Sequence, residues 1–188
     1  MRSALSKPCV ECAPRLETER LILRAHRLED FPACAAMWSD PTVAKYTIGS
    51  AASPQLTWRR LLAYCGHWHL LGFGYWAVES KQTGHFIGEL GFADFHREQW
   101  PTLVGIPEIG WALAVEAHRQ GYATEALRKV VEWGDAHLRG RRTVCIVHRE
   151  NTPSIRLARK LGYLTELRAP TDDDPDFLLS RDLTRSET

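Results

Sequence analysis

Neither sign of charge is in excess along this chain, no apolar run escapes interruption by charged residues, and no internal repeat or low-complexity segment appears. Each absence removes a class of function. With 24 lysines and arginines against 23 aspartates and glutamates, no global field draws the chain to nucleic acid or to an anionic membrane. Residues 1–14 have no apolar stretch and the most hydrophobic windows are broken within a few residues, so neither a secretory leader nor a membrane span is expected. Cys9, Cys12, Cys34, Cys65 and Cys145 are an odd set without framework spacing, which points to a reducing compartment and a cytoplasmic protein. No metal is expected. Cys9-x-x-Cys12 lacks a second pair, and on a helix His67 and His69, beside Cys65, point to nearly opposite sides. There is no Walker loop and no G-x-S-x-G elbow, and the loose glycine pattern from Gly72 to Ala77 precedes a strand instead of opening a helix.

What is present is a chain of 188 residues, enough to bury one core without disulfides. We read residues 1–14 as a tail and 15–188 as a single domain. Strand patterns cover residues 20–25, 75–79, 85–94, 109–115, 143–147, 163–167 and 177–183. Helical patterns with start or stop signals cover 28–38, 54–70, 120–138 and 151–161, and an acidic turn spans 171–176. The fold class is α/β (α+β), a mixed, mostly antiparallel central sheet flanked by helices.

The chain is organised around residues 107–138. Ile109, Trp111, Leu113 and Val115 keep the strand period, and from Gln120 onward Ala123, Ala126, Leu127, Val130 and Val131 keep the helical one. Between them lies His118-Arg119-Gln120-Gly121-Tyr122-Ala123-Thr124, where small residues permit close approach to the backbone. The unpaired amides of a helix's first turn and its positive dipole end suit a pyrophosphate, although this stretch taken alone is better accounted for by a tight strand-to-helix turn at Gly121.

The stretch EIGWALAVEAHRQGYATEAL resembles the acetyl-CoA-binding core of the GNAT superfamily of N-acetyltransferases, in the branch of the ribosomal-protein N-terminal (RimJ/RimL-like) enzymes. LETERLILR is similar to that branch's first strand, and NTPSIRLARKLGY to its late helix and the strand after it. The resemblance implies the GNAT acyl-CoA N-acyltransferase fold with acetyl-CoA as cosubstrate. It assigns the pantetheine arm to Leu113 and Val115, and the pyrophosphate to His118, Arg119, Gln120, Gly121, Tyr122, Ala123 and Thr124. His118 stands where the family often has glutamine or arginine. Asn151 and Ser154 match the branch's pattern and suit hydrogen bonds to the cofactor or its thiol, with helix capping as the plain alternative. Arg149, Arg156, Arg159 and Lys160 are the cations available for the adenosine 3′-phosphate.

The chemistry so implied is attack of a primary amine, of a protein N-terminus or a small molecule, on the thioester carbonyl. A base must take the ammonium proton, donors must stabilise the oxyanion, and an acid must protonate the thiolate. Glu108 is the first carboxylate candidate, Glu89 the second and Asp94 a third. The tyrosine that many members place in the late helix is absent here, so the general acid stays open, and the resemblance offers Ser154 as a catalytic candidate on that segment. Trp38, Trp58 and Trp68 fall on the acceptor-side helices and are candidate walls for an amine pocket. Exposed aromatics permit a homodimer. The rival function is a non-catalytic acyl-CoA-binding sensor or interaction module.

Overall fold

The computed structural model describes residues 13–138, 142–167 and 176–183. The Cys9–Cys12 pair and, apart from Asp176, the acidic turn lie outside the described residues. The strands are β1 (Leu16–Glu17), β2 (Leu21–Arg24), β3 (Tyr75–Ser80), β4 (Phe86–Ala93), β5 (Glu108–Leu113), β6 (Arg142–His148), β7 (Thr165–Leu167) and β8 (Asp176–Asp182). The α-helices are α1 (Phe31–Ser39), α2 (Pro41–Ala44), α3 (Pro54–Leu71), α4 (Tyr122–His137) and α5 (Thr152–Lys160). They surround one sheet of order β1-β2-β3-β4-β5-β6-β8-β7. Every neighbouring pair is antiparallel except β5 and β6, whose parallel relation requires the crossover that α4 supplies.

Apolar spacing decides where each helix sits. Ala126, Leu127, Val130 and Trp133 of α4 and Ile155 and Ala158 of α5 are buried in one cluster with Leu90, Phe92, Ile109, Cys145 and Val147. Trp68, Trp76 and Trp133 meet edge to face at the end of that cluster, with centroids 4.6, 5.1 and 5.3 Å apart. Such pairs add about 0.5–1.5 kcal/mol each beyond the area they bury. On the opposite face, α1 packs over a floor of small residues, where Met37 and Trp38 cluster with Ala112 and Ala114.

Several boundaries depart from the sequence patterns. The organising strand ends at Leu113, not Val115: Val115–Ala117 forms a 3₁₀ turn and Val115 is exposed. The apolar alternation continued past the strand, but the Ala117 and His118 amides turn back to the Ala114 and Val115 carbonyls. Helix α4 begins at Tyr122, because Gly121 holds φ 81°, a left-handed value outside the helix. Asp40-Pro41 ends α1 but also starts α2, with the Asp40 side chain accepting from the Thr42 amide. Tyr163 lies just before β7 in the core, its hydroxyl 2.7 Å from Thr143 Oγ1.

Candidate active site

Strands β5 and β6 are in register at one position among the described residues, Glu108 opposite Val144, where the Val144 amide donates to the Pro107 carbonyl. Beyond it they part. β5 remains paired to β4 along its whole length, and β6 to β8, so the two edges that face each other carry backbone groups without strand partners. A cavity of about 650 Å³ opens there. Ile109, Gly110 and Trp111 line it from β5, Cys145 to His148 from β6, and Asn151 and Ser154 from the start of α5. Trp38, Lys45, Tyr46 and Arg60 close its other side.

Directly opposed residues of an antiparallel sheet share a face. The registers Tyr75–Gly91–Gly110 and Ala77–Glu89–Ala112, with Glu108 opposite Ala93, therefore set Tyr75, Glu89 and Glu108 above the same floor of glycine and alanine. The Tyr75 ring stacks on Tyr64 with centroids 4.6 Å apart and an interplanar angle of 4°. Its hydroxyl reaches over Gly110 to the cavity and has no hydrogen-bond partner among the described residues. Burial, with Glu108 and Glu89 nearby, raises its pKa well above the ordinary phenol value. Sequence reasoning missed Tyr75.

Glu108 lines the cavity and binds Arg97 in a bidentate pair, Nε to Oε2 and Nη2 to Oε1, both at 2.8 Å. Each oxygen accepts one of these bonds and keeps a lone pair. Glu89 does not line the cavity. Its carboxylate is enclosed, accepting from Trp38 Nε1 at 2.9 Å and Tyr64 Oη at 2.7 Å, with His26 Nε2 3.4 Å away. Burial by itself raises the Glu89 pKa, but hydrogen bonding and charge from His26, the Arg60 charge and the Tyr64 hydroxyl outweigh it and lower it. His26, Cys34 and Glu89 bring one potential ligand atom each within 4.8 Å of the others. Glu89 Oε1 there accepts from both aromatic donors and Oε2 faces His26 and Cys34 Sγ, 3.9 Å away, and the cluster is distinct from the Cys65, His67 and His69 set. His67 instead contacts the Ala63 and Asp94 carbonyls. Asp94 accepts from the Gly105 amide.

The glycine loop lies at the other end of β5. His118 Nε2 is 2.9 Å from the Leu113 carbonyl oxygen, and Arg119, Gln120 and Gly121 are exposed. Gly121 caps α4 without a side-chain hydrogen bond, so the first amides of the helix, at Tyr122, Ala123 and Thr124, have no intrahelical partner. Glu125 ties the loop to the turn between β1 and β2, accepting from Thr18 Oγ1, the Arg20 amide and Arg20 Nε at 2.5, 2.9 and 2.7 Å. Arg20 also donates to the Gln120 carbonyl and lies over the Tyr122 ring.

At α5 the capping residue is Asn151, whose Oδ1 accepts from the Ser154 amide at 3.2 Å. Ser154 is therefore not the cap, and its hydroxyl makes no hydrogen bond among the described residues. Of the three acceptor-side tryptophans, Trp38 lines the cavity, Trp68 is buried against Trp76 and Trp133, and Trp58 packs on Phe31 away from it.

A mixed sheet thus parts between two parallel strands, with a cavity in the gap and a helix start without a side-chain cap at the far end of one edge. Residues 20–164 match the acetyltransferase (GNAT) domain family, and the chain belongs to it. It is an acyltransferase of the α/β class, as the resemblance implied. The chain is 33% identical over 152 residues to the uncharacterized N-acetyltransferase p20 of Bacillus licheniformis, spanning 80% of this chain and 83% of that one. An acetyltransferase from Agrobacterium tumefaciens superposes with a TM-score of 0.76 at 28% identity, over 89% of this chain and 94% of the other. RimL, a ribosomal L7/L12 α-N-protein acetyltransferase in complex with coenzyme A, superposes at 0.69 with 16% identity, over 90% and 98% of the two chains. That last likeness is one of fold. No helix among the described residues is long and apolar enough to cross a membrane.

Proposed function

We propose that this acetyltransferase moves the acetyl group of acetyl-CoA directly to a primary amine. The observation that carries the reading is the parting of β5 from β6 after Glu108 and Val144. Pantetheine is an amide chain, and an open strand edge pairs with amides as a further strand would. Ile109 to Leu113 form that edge in this chain, so Leu113 stays in the assignment while Val115, out of the strand, does not. The amides of Tyr122, Ala123 and Thr124 receive the pyrophosphate, with His118, Arg119, Gln120 and Gly121 shaping the approach.

On the cavity wall, the remaining lone pairs of Glu108 accept the ammonium proton through water, and Arg97 fixes the carboxylate's orientation. Amides of the β5 edge face the developing oxyanion. The Tyr75 hydroxyl donates its proton to the departing thiolate and regains one from water in the open cavity, while the proton taken up by Glu108 leaves by the same route; Ser154 is the second hydroxyl on the wall. Glu89 acts as a positioning residue, holding the Trp38 and Tyr64 rings. The resemblance to ribosomal-protein enzymes supports a protein N-terminus as acceptor, and the cavity accommodates small amines equally. Free-thiol release from acetyl-CoA, measured against N-terminal peptides, amino acids, polyamines and aminoglycosides, tests the reading. Release above a no-acceptor control is expected for one class; binding of acetyl-CoA without release from any amine would overturn it.

A further inference from the structure

Arg60, one turn before Tyr64 on α3, is a cation without an ion pair among the described residues. Its guanidinium carbon lies over the Trp38 ring, 4.2 Å from the centroid, and 6.0 Å from that of Tyr64. Nε is buried and meets no hydrogen-bond acceptor. The group nevertheless borders the cavity. Burial lowers its pKa, and the surrounding Tyr64, Glu89 and Tyr75 more than offset that and raise it. Glu89 does this at a distance, since its Oε1 is engaged by Trp38 and Tyr64 and its Oε2 faces His26 at 3.4 Å. The charge is thus stabilised without being covered.

The rest of the wall sharpens the contrast. Arg97 also borders the cavity, but both arms of its fork are spent on Glu108. Lys45 borders it with its ammonium over the Tyr46 ring, 4.5 Å from the centroid, and with no ion pair among the described residues. With the Arg97–Glu108 pair cancelled, two cations, Lys45 and Arg60, face one carboxylate, Asp176. A guanidinium pre-oriented on an indole loses little freedom on binding, and its planar fork matches a carboxylate.

We infer that the Arg60–Trp38 pair is the anion-binding subsite of the acceptor pocket, and that the acceptor is a small amine that also carries a carboxylate. The inference rests on the transfer reading above and narrows its acceptor. A polypeptide N-terminus brings no carboxylate close to its amine unless an acidic residue follows, whereas an amino acid brings one always.

The experiment compares L-amino acids with their carboxamides, each as acceptor in thiol release and as titrant in calorimetry against the protein saturated with coenzyme A. An acid favoured over its amide by about tenfold or more in KM or Kd is expected, as for a charged hydrogen bond lost from a buried partner. Arg60→Gln should close that gap, and Arg60→Lys should keep part of it, while the Kd for acetyl-CoA stays the same in both. Equal binding of acid and amide by the wild type, or an Arg60→Gln variant with unchanged discrimination, overturns the inference. Acid-selective binding without thiol release would leave the subsite standing and sink the transfer reading instead. If Arg60→Gln fails to fold, the wild-type comparison and Arg60→Lys decide.

Discussion

The Tyr75 hydroxyl occupies the space that a side chain at position 110 would fill: a Cβ on Gly110 would overlap its Oη. Tyr75 stands on β3 in register with Gly91 and Gly110, and it is the missing side chain at Gly110 that leaves room for the hydroxyl at the open edge of β5. Gly110→Ala should therefore displace the hydroxyl, and Tyr75→Phe should remove it. Both variants are expected to lower kcat for thiol release by roughly 100-fold, the lower end of general acid contributions. KM for acetyl-CoA should change little. Overpacking costs Gly110→Ala about 1–3 kcal/mol besides, so a thermal melt accompanies the kinetics. A Tyr75→Phe enzyme with unimpaired kcat would return Tyr75 to the core and leave the thiolate's proton to Ser154.

The loop before α4 makes a separate prediction. Gly121 sits at φ 81° with only the Arg20 guanidinium near a would-be Cβ, at 3.4 Å. The strain of Gly121→Ala is thus conformational, about 1–2 kcal/mol for an L-residue in the left-handed region. Relief of that strain re-aims the first amides of the helix. Acetyl-CoA should bind the variant several-fold more weakly, while S-acetylpantetheine, which has no pyrophosphate, should bind as it does to the wild type. Equal loss for both ligands in a calorimetric titration would show that the loop does not serve the phosphates.

The order of strands and helices was legible because each element buries one stripe or one face, and burial writes its period into the sequence. The glycine turn and the late helix were legible for the same reason, with a cap signal added. The end of β5 was not, since Val115 keeps the apolar alternation while the hydrogen bonds at Ala117 and His118 close a turn. Nor were the roles of the two leading carboxylates. Glu89 and Glu108 look alike along the chain, but one is enclosed by the side chains of α1 and α3 and the other faces the cavity with Arg97. Tyr75 escaped because its reach depends on a glycine at the matching position of β5, two strands away in the sheet, a relation of register and not of local pattern.

The enclosed carboxylates set the acid limit of the fold. Burial tends to raise the pKa of Asp30, but its bidentate bonds from Arg24, at 2.7 and 2.8 Å, and the Arg27 amide lower it below the usual carboxylate value. Glu89 is lowered in the same net direction, against its own burial, by His26, Arg60 and Tyr64. A carboxylate with a depressed folded pKa contributes stability that is complete above its unfolded pKa, near 4, and is lost as pH falls through the folded value. Melting temperature should thus hold steady from neutral pH to about 5 and drop below it. Glu89→Gln removes the charged acceptor of the Trp38 and Tyr64 bonds inside the fold. The expected cost at pH 7 is about 1–3 kcal/mol, with a shallower acid limb than the wild type. A Glu89→Gln melt that matches the wild type at pH 7 yet keeps its full acid dependence would place the limiting protonation at Asp30. Asp30→Asn, measured over the same range, would then show the flattened limb.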